Sequence, residues 1–417
     1  MLEITRNKTY HFLRWTEKWI KTDMVYFTQG GFWLTTGQIF SVLSAFLLSI
    51  AFANLLPKET YGVYKYILSI ASILSIPTLS GISTALTQSV AKGFEGSLKL
   101  AVKTRIKWGL IGSTASLVLA GYYFYNNNTT LTFSFLITAI FLPFMDSLSS
   151  YEAVLIGKKL FKTNTKYNIL IKIIATIATA GTLYLTDNIL FIVFSYFILY
   201  TTLRLIFLKI TIYKTKLNDK QDTQIISYGK NLSFMDIIGI ITSQLDKILI
   251  FTYLGAAELG IYAFAIAVPE QIKGIFKNIY TLALPKFAQS NYKENRRSIL
   301  IKMLKLSLVV LPIIIIYILV APYIFTWFFP QYLDSIFYSQ IFSISLLTLP
   351  SIFPIAFLQS QKAQRKLYQY STYSPTIQIV TLSILIYFFG LMGIIAARLI
   401  NRFINLFIAI ILIDQEK

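Results

Sequence analysis

The sequence predicts an all-α integral membrane protein of about twelve transmembrane helices. Three observations carry this. Of 417 residues, 55% are hydrophobic and only 13% charged; the apolar residues form runs of membrane length; and the lysines and arginines collect in alternate loops. A hydrocarbon core about 30 Å thick takes roughly 20 helical residues, so twelve spans use about 240 and leave only short loops. A transmembrane β-barrel would instead show alternating stretches of about ten residues, whereas Leu311 to Val320 is continuously apolar.

In chain order, the first 29 residues are polar and basic, unlike a cleavable signal peptide, so the first span must serve as its own insertion signal. Phe12, Trp15 and Trp19 share a helical face amid Arg14, Lys18 and Lys21, the pattern of an interfacial helix on the cytoplasmic leaflet. Residues 1–29 are therefore read as a cytoplasmic interfacial segment. Apolar runs then place spans near 30–55, 61–90, 106–125, 131–156, 167–186 and 188–208. A polar linker follows over 209–230, with Lys214, Lys216, Asn218, Asp219, Lys220 and Asp222. Further spans lie near 231–254, 259–284, 301–328, 336–360, 370–390 and 391–413. The chain thus divides into a six-helix bundle over 30–208 and another over 231–417.

Lys and Arg in short loops stay cytoplasmic. Here they cluster at the N-terminus, around 92–107, around 158–172, in the linker from Arg204 to Lys230, around 286–305 and around 362–366. Of the alternate loops, only one holds a basic residue, Lys58. Both termini are accordingly expected in the cytoplasm, with the intervening turns outside. A net charge of +20 would suggest nucleic acid in a soluble protein; in a membrane protein it is the charge of these loops, and no nucleic-acid partner is expected.

Leu56, Gly62, Tyr64 and Tyr66 recur as Leu254, Gly260, Tyr262 and Phe264 at one constant offset. Both copies join the first and second span of a six-span set. This suggests a parallel duplication with a pathway between the halves. The chain has no cysteine, and its one histidine, His11, lies outside the spans. There is no Gly-rich phosphate loop, metal-binding His/Glu pair or nucleophile elbow. Neither catalytic residues, metal nor cofactor are expected, and transport without chemistry is.

The stretch from Leu55 through Pro57, Lys58, Glu59, Tyr61 and Gly62 to Tyr64, continued by Gly81 to Leu86, resembles the start of polysaccharide-export flippases. So do Leu245 to Ile250, Leu254 to Tyr262, and Leu284-Pro285-Lys286-Phe287. The resemblance is to the O-antigen (Wzx-type) branch of the multidrug/oligosaccharidyl-lipid/polysaccharide (MOP) exporter superfamily. It implies a V-shaped, MATE-like pair of six-helix bundles that moves an undecaprenyl-pyrophosphate-linked oligosaccharide, an O-antigen or capsule unit, across the cytoplasmic membrane. The partners implied are that lipid-linked substrate, membrane lipid, a polysaccharide polymerase and a chain-length regulator. A cation-coupled multidrug exporter of the same superfamily is the alternative, and a polysaccharide polymerase or glycosyltransferase a weaker one, since the outer loops are too short for a catalytic domain.

Ionisable groups at mid-membrane cost about 2.5–3.5 kcal/mol on insertion scales, so each calls for a reason. Lys65, Glu152, Asp236 and Lys277 are near enough to a surface to snorkel. Deeper lie Asp146, Asp246, Lys247, Glu270, Lys273, Arg398 and Arg402. Glu270, Lys273 and Lys277 share one helical face, and Arg398, Arg402 and Asn405 another. The functional reading is a cationic cavity in which Lys247, Lys273, Arg398 and Arg402 hold a pyrophosphate, with Asp146, Asp246 and Glu270 as coupling or ion-pair carboxylates. Arg suits phosphate through its donor fork and Lys as a point charge. The bland reading is interhelical ion pairing alone, such as Glu270 with Arg402.

Overall fold

The computed structural model describes residues 24–288, 292–360 and 363–414. Phe12, Trp15 and Trp19 of the expected interfacial helix lie outside the described residues. Among the described residues the chain is helices and connecting turns, with no strand.

The chain opens with α1 (Met24–Leu55) and a broken rod made of α2 (Lys58–Leu74) and α3 (Gly81–Ala91). The break is a 3-10 turn over Ile76–Thr78 that contains Pro77, and it bends the rod by 43°. Proline removes a ladder hydrogen bond and clashes with the preceding turn, so the bend falls there. Next come α4 (Ser97–Tyr125), α5 (Thr129–Met145) extended by α6 (Tyr151–Gly157), α7 (Phe161–Leu185) and α8 (Ile189–Thr215). Beyond residues 216–224 follow α9 (Ile225–Tyr253), α10 (Ala256–Ala288), α11 (Tyr292–Phe328), α12 (Ser335–Ser343) extended through a 3-10 stretch (Ile344–Ser351) by α13 (Ile352–Ser360), and α14 (Gln364–Asp414).

Eight of these helices are long and apolar enough to cross a membrane, nine when the bent pair counts as one span. The remaining rods are explained residue by residue. α4 and α9 are each 29 residues long but carry Lys99, Lys103, Arg105 and Lys107, or Lys230, Asp236, Asp246 and Lys247, which dilute their apolarity. α14 is a hairpin. Gly390 adopts φ 54°, ψ −131°, a conformation that costs glycine little and other residues much. Asn401 Nδ2 lies 2.5 Å from Thr381 Oγ1, although twenty residues of straight helix would span about 30 Å. The described helices are thus consistent with the twelve spans expected.

The polar break between α8 and α9 is shorter than the expected 209–230, because both helices continue past the apolar stretch into charged sequence. Residues 216–224 are clasped to the turn between α3 and α4. The Glu95 carboxylate accepts from the Lys158 ammonium and, at 3.1 Å, from the Asn218 N–H. Asn218 Nδ2 donates to Gly93 O at 2.9 Å, and the Asp222 N–H to Ser97 Oγ at 2.9 Å. This marks the lysine-rich end of the molecule.

At the opposite end the repeat copies meet each other. A Cβ on Gly62 would lie 1.8 Å from the carbonyl oxygen of Ala256, and one on Gly260 would lie 2.7 Å from that of Lys58. Under the repeat offset Gly62 corresponds to Gly260 and Lys58 to Ala256, so the contact is reciprocal, as at a two-fold interface. Aromatic rings close around it: Tyr61 packs on Phe264 and Tyr332, and Tyr66 stacks on Phe251 with centroids 3.8 Å apart. Asn54 donates to Phe328 O at 3.0 Å, and Lys58 pairs with Asp334 at 2.7 Å.

Gly62→Val forces this backbone contact apart. We expect a loss of about 1–3 kcal/mol from overpacking, read as a lower thermal midpoint in detergent, whereas Gly121→Ala, with open space around its Cβ, leaves the midpoint unchanged.

The clasp at the other end titrates. Burial pushes the Glu95 carboxyl up, but the Lys158 ammonium and the Asn218 N–H outweigh it and hold it below the usual carboxylate range. Its contribution is therefore full above the unfolded-chain value of about 4.3 and is lost as pH falls through the lower folded value. A spin label on Lys220→Cys, in a chain that has no native cysteine, is expected to gain mobility as pH falls through that range. Glu95→Gln should be mobile already at neutral pH.

Candidate functional site

Three elements converge on one set of buried charges. α9 supplies Asp246 and Lys247, α10 supplies Glu270 and Lys273 one turn apart, and the second arm of α14 supplies Arg398, Asn401, Arg402 and Asn405 along one face. Two adjoining cavities result, and they share Glu270, Lys273, Arg402 and Asn405 as a common wall. One, of about 430 Å³, is lined also by Ser243, Lys247, Gln378, Arg398 and Asn401. The other, of about 480 Å³, is more apolar, with Leu349, Ile352, Ile355 and Tyr370.

Asp246 is fully buried and accepts hydrogen bonds from the Tyr262 hydroxyl and, at 2.9 Å, from the Lys247 N–H. Arg398 Nε lies 3.4 Å from its Oδ2, and Arg398 Nη2 lies 3.8 Å from Glu270 Oε1. Glu270 is further paired with Arg402 and, at 3.8 Å, with Lys273. Arg402 donates to Ser345 Oγ at 2.6 Å and stacks over the Phe342 ring. Lys247 turns the other way and donates from Nζ to Gln244 Oε1 at 2.8 Å. Two helix neighbours about 100° apart cannot face one partner.

The cations outnumber the carboxylates. Lys273, Arg398 and Arg402 share Asp246 and Glu270, Lys247 lines the same cavity, and Lys65 of α2 lies within Coulombic range of Lys247. Lys65 is partly buried, with its ammonium 5.0 Å from the Tyr61 ring centroid. Several buried polar atoms make no hydrogen bond among the described residues: Asn401 Oδ1, Asn405 Oδ1 and Arg398 Nε, the last in its ion pair with Asp246. Buried polar groups are costly without hydrogen bonds, so these donor and acceptor positions suit a polar ligand in the cavities.

Of the residues expected from the sequence, Lys247, Lys273, Arg398, Arg402, Asp246 and Glu270 are brought together. Asp146 is not. It pairs with Arg204 at 3.1 Å, beside a small cavity lined also by Ser72, Ser75 and Tyr196. Arg204, counted with the linker charges, sits inside α8 and also donates to Met145 O at 2.7 Å. Arg105, counted with a loop cluster, is buried inside α4 and donates to Thr78 O, Ser83 Oγ and Ser150 Oγ at 3.0–3.1 Å. Glu152 faces Asn168, Lys172 and Arg204. The side chain of Lys277 lies outside the described residues.

Broken apolar rods, a tight end contact between the two like turns and a charged internal cavity define a multi-pass helical membrane protein. The chain matches the family described as polysaccharide biosynthesis proteins over residues 27–291, and it belongs to that family. Its fold is shared with a lipid II flippase, MurJ, in an inward closed conformation: TM-score 0.71, 12% identity, 91% of this chain and 87% of that one. It is shared also with an outward-facing multidrug resistance MATE transporter of the MOP superfamily: TM-score 0.59, 13% identity, 92% of this chain and 94% of that one. A MOP superfamily transporter from Pyrococcus furiosus, described by a binding pocket of reverse polarity, gives TM-score 0.57 at 12% identity over 92% and 94%. At these identities the likeness concerns the fold. Among curated proteins none matches the sequence.

Removing the partner of a buried charge costs about 3–5 kcal/mol. Arg398→Ala, which strands Asp246, is expected to lower accumulation and the thermal midpoint. Asp246→Asn in the same chain should recover most of the loss. A double variant as unstable as Arg398→Ala would show that Arg398 acts by packing and not by pairing.

Proposed function

We propose that the protein is a flippase that carries an undecaprenyl-pyrophosphate-linked oligosaccharide, an O-antigen or capsule unit, across the cytoplasmic membrane by alternating access. The observation that carries this reading is the surplus of cations over carboxylates around the two cavities. A pyrophosphate supplies the missing negative charge, and the guanidinium forks of Arg398 and Arg402 match its oxygens. The unpartnered Asn401 and Asn405 oxygens accept from sugar hydroxyls, and the more apolar cavity takes the nearby lipid segment.

On this reading the two six-helix bundles rock about the substrate, and both termini are cytoplasmic because the lysine-rich end is the inner one. The reciprocal glycine contact then lies at the outer end and holds it shut, so that substrate enters from the inner side. Asp246 and Glu270 keep the cations apart until the pyrophosphate arrives. A multidrug exporter for cations fits less well, because both carboxylates at the cavity are already held by arginines.

Lys273→Ala and Arg402→Ala each remove a charged donor, and such bonds are worth about 1.5–3 kcal/mol. In proteoliposomes, translocation of a pyrophosphate-linked oligosaccharide lipid is expected to fall roughly 10- to 100-fold in each variant. In cells, inward-facing precursor should accumulate while the protein still inserts. Wild-type translocation by both single variants and by the double variant would sink the pyrophosphate reading.

A further inference from the structure

Outside the cavity cluster, one lipid-facing feature has a chemistry of its own. A groove of about 370 Å³ runs between α4 and α8 at the lysine-rich end. α5 packs against both helices, which leaves them as the walls of a slot. Leu98, Val102 and Ile106 line one wall at helical spacing, and Leu208 and Ile212 the other. Leu98 and Leu208 are buried at its floor, while Ile212 is exposed.

Lys99 and Lys103 belong to the same groove, both exposed and one turn apart on its rim. No carboxylate forms an ion pair with either among the described residues: at the start of α4, Glu95 is paired with Lys158, the Asp222 carboxylate accepts from the Gln224 N–H, and Asp219, packed by its backbone against Gly96, reaches neither lysine within ion-pair distance. Both lysines lie in the first two turns of α4, within about 10 Å of its start at 1.5 Å per residue, just before the apolar stretch that begins near residue 106. The apolar walls continue from there along the helix.

We propose that this groove is a binding site for an anionic phospholipid, whose phosphate sits between Lys99 and Lys103 and whose acyl chain lies in the slot between α4 and α8. Charge complementarity decides the occupant. A zwitterionic lipid fills the slot equally well but brings a choline or ethanolamine cation against the two ammonium groups. Each basic residue near an anionic headgroup is worth about fivefold in binding. Held there, the lipid bridges helices that make little direct contact.

The test is native mass spectrometry of the full chain exchanged into micelles doped with phosphatidylglycerol or phosphatidylcholine. Wild type is expected to retain phosphatidylglycerol about tenfold more than phosphatidylcholine, with the preference weakening as salt rises. Lys99→Gln/Lys103→Gln should abolish the preference, and Val102→Trp, which fills the slot, should lower retention of both lipids. All three side chains lie at the lipid-facing groove, so thermal midpoints should hold and confirm folding. Equal retention of the two lipids by wild type, or an unchanged preference in the double lysine variant, would overturn the proposal, and neither outcome depends on glycan translocation.

Discussion

The reciprocal backbone contact between the repeat copies is the constraint on which the remaining geometry rests. Two helices approach to backbone distance only where no Cβ intervenes, and the chain provides that gap twice, at Gly62 and at Gly260. Because each glycine faces the carbonyl of the other copy's turn, moving one contact moves both. This fixes α2 against α10, and with them the registers of α9 and α14 beside α10. The charged face of α10 thereby comes opposite that of α14, and Glu270 meets Arg398 and Arg402.

The buried charges differ between the halves in a way that bears on mechanism. In the first half Asp146 balances Arg204, and Arg105 is satisfied by a carbonyl and two hydroxyls. Such networks cost desolvation but leave few donors free for a ligand. In the second half the field is not cancelled. Lys273, Arg398 and Arg402 share two carboxylates, Lys247 lines the same cavity, and the buried Asn401 and Asn405 oxygens in its wall make no hydrogen bond among the described residues. Interhelical pairing alone, as with Glu270 and Arg402, accounts for part of the cluster. It leaves Lys247 and Lys65 without a carboxylate ion pair.

Much of this was legible in the sequence, for physical reasons that also mark where it stops. Apolar run length reports spans because the bilayer imposes a thickness, and the hairpin at Gly390 falls at the boundary expected between 370–390 and 391–413. The site residues stood out because a charge at mid-membrane is expensive. Loop charge was the less reliable guide. Arg105 and Arg204 sit among lysine clusters that belong to loops, yet their helices run further than the apolar stretch, and nothing in one dimension distinguishes an arginine above the membrane from one a turn inside it. The proximity of Lys65 to Lys247 is of the same kind, since only the approach of α9 creates it. Helical spacing correctly put Arg398 and Arg402 on one face, but the partner of each depended on how α9, α10 and α14 cross.

The asymmetry between the two ends follows from the same chemistry. The contact at Gly62 and Gly260 is made of backbone and aromatic rings, so it is short-ranged and falls away once the surfaces part by a few ångströms. The lysine-rich end is held differently. The Glu95–Lys158–Asn218 clasp binds the 216–224 segment to the first half by charged and polar contacts, which water can replace at small cost. On the reading proposed above, the lysine-rich end would admit an anionic ligand by loosening polar contacts that water can replace, and the packed end would yield only once the ligand's charge offsets the mutual repulsion of the cavity cations.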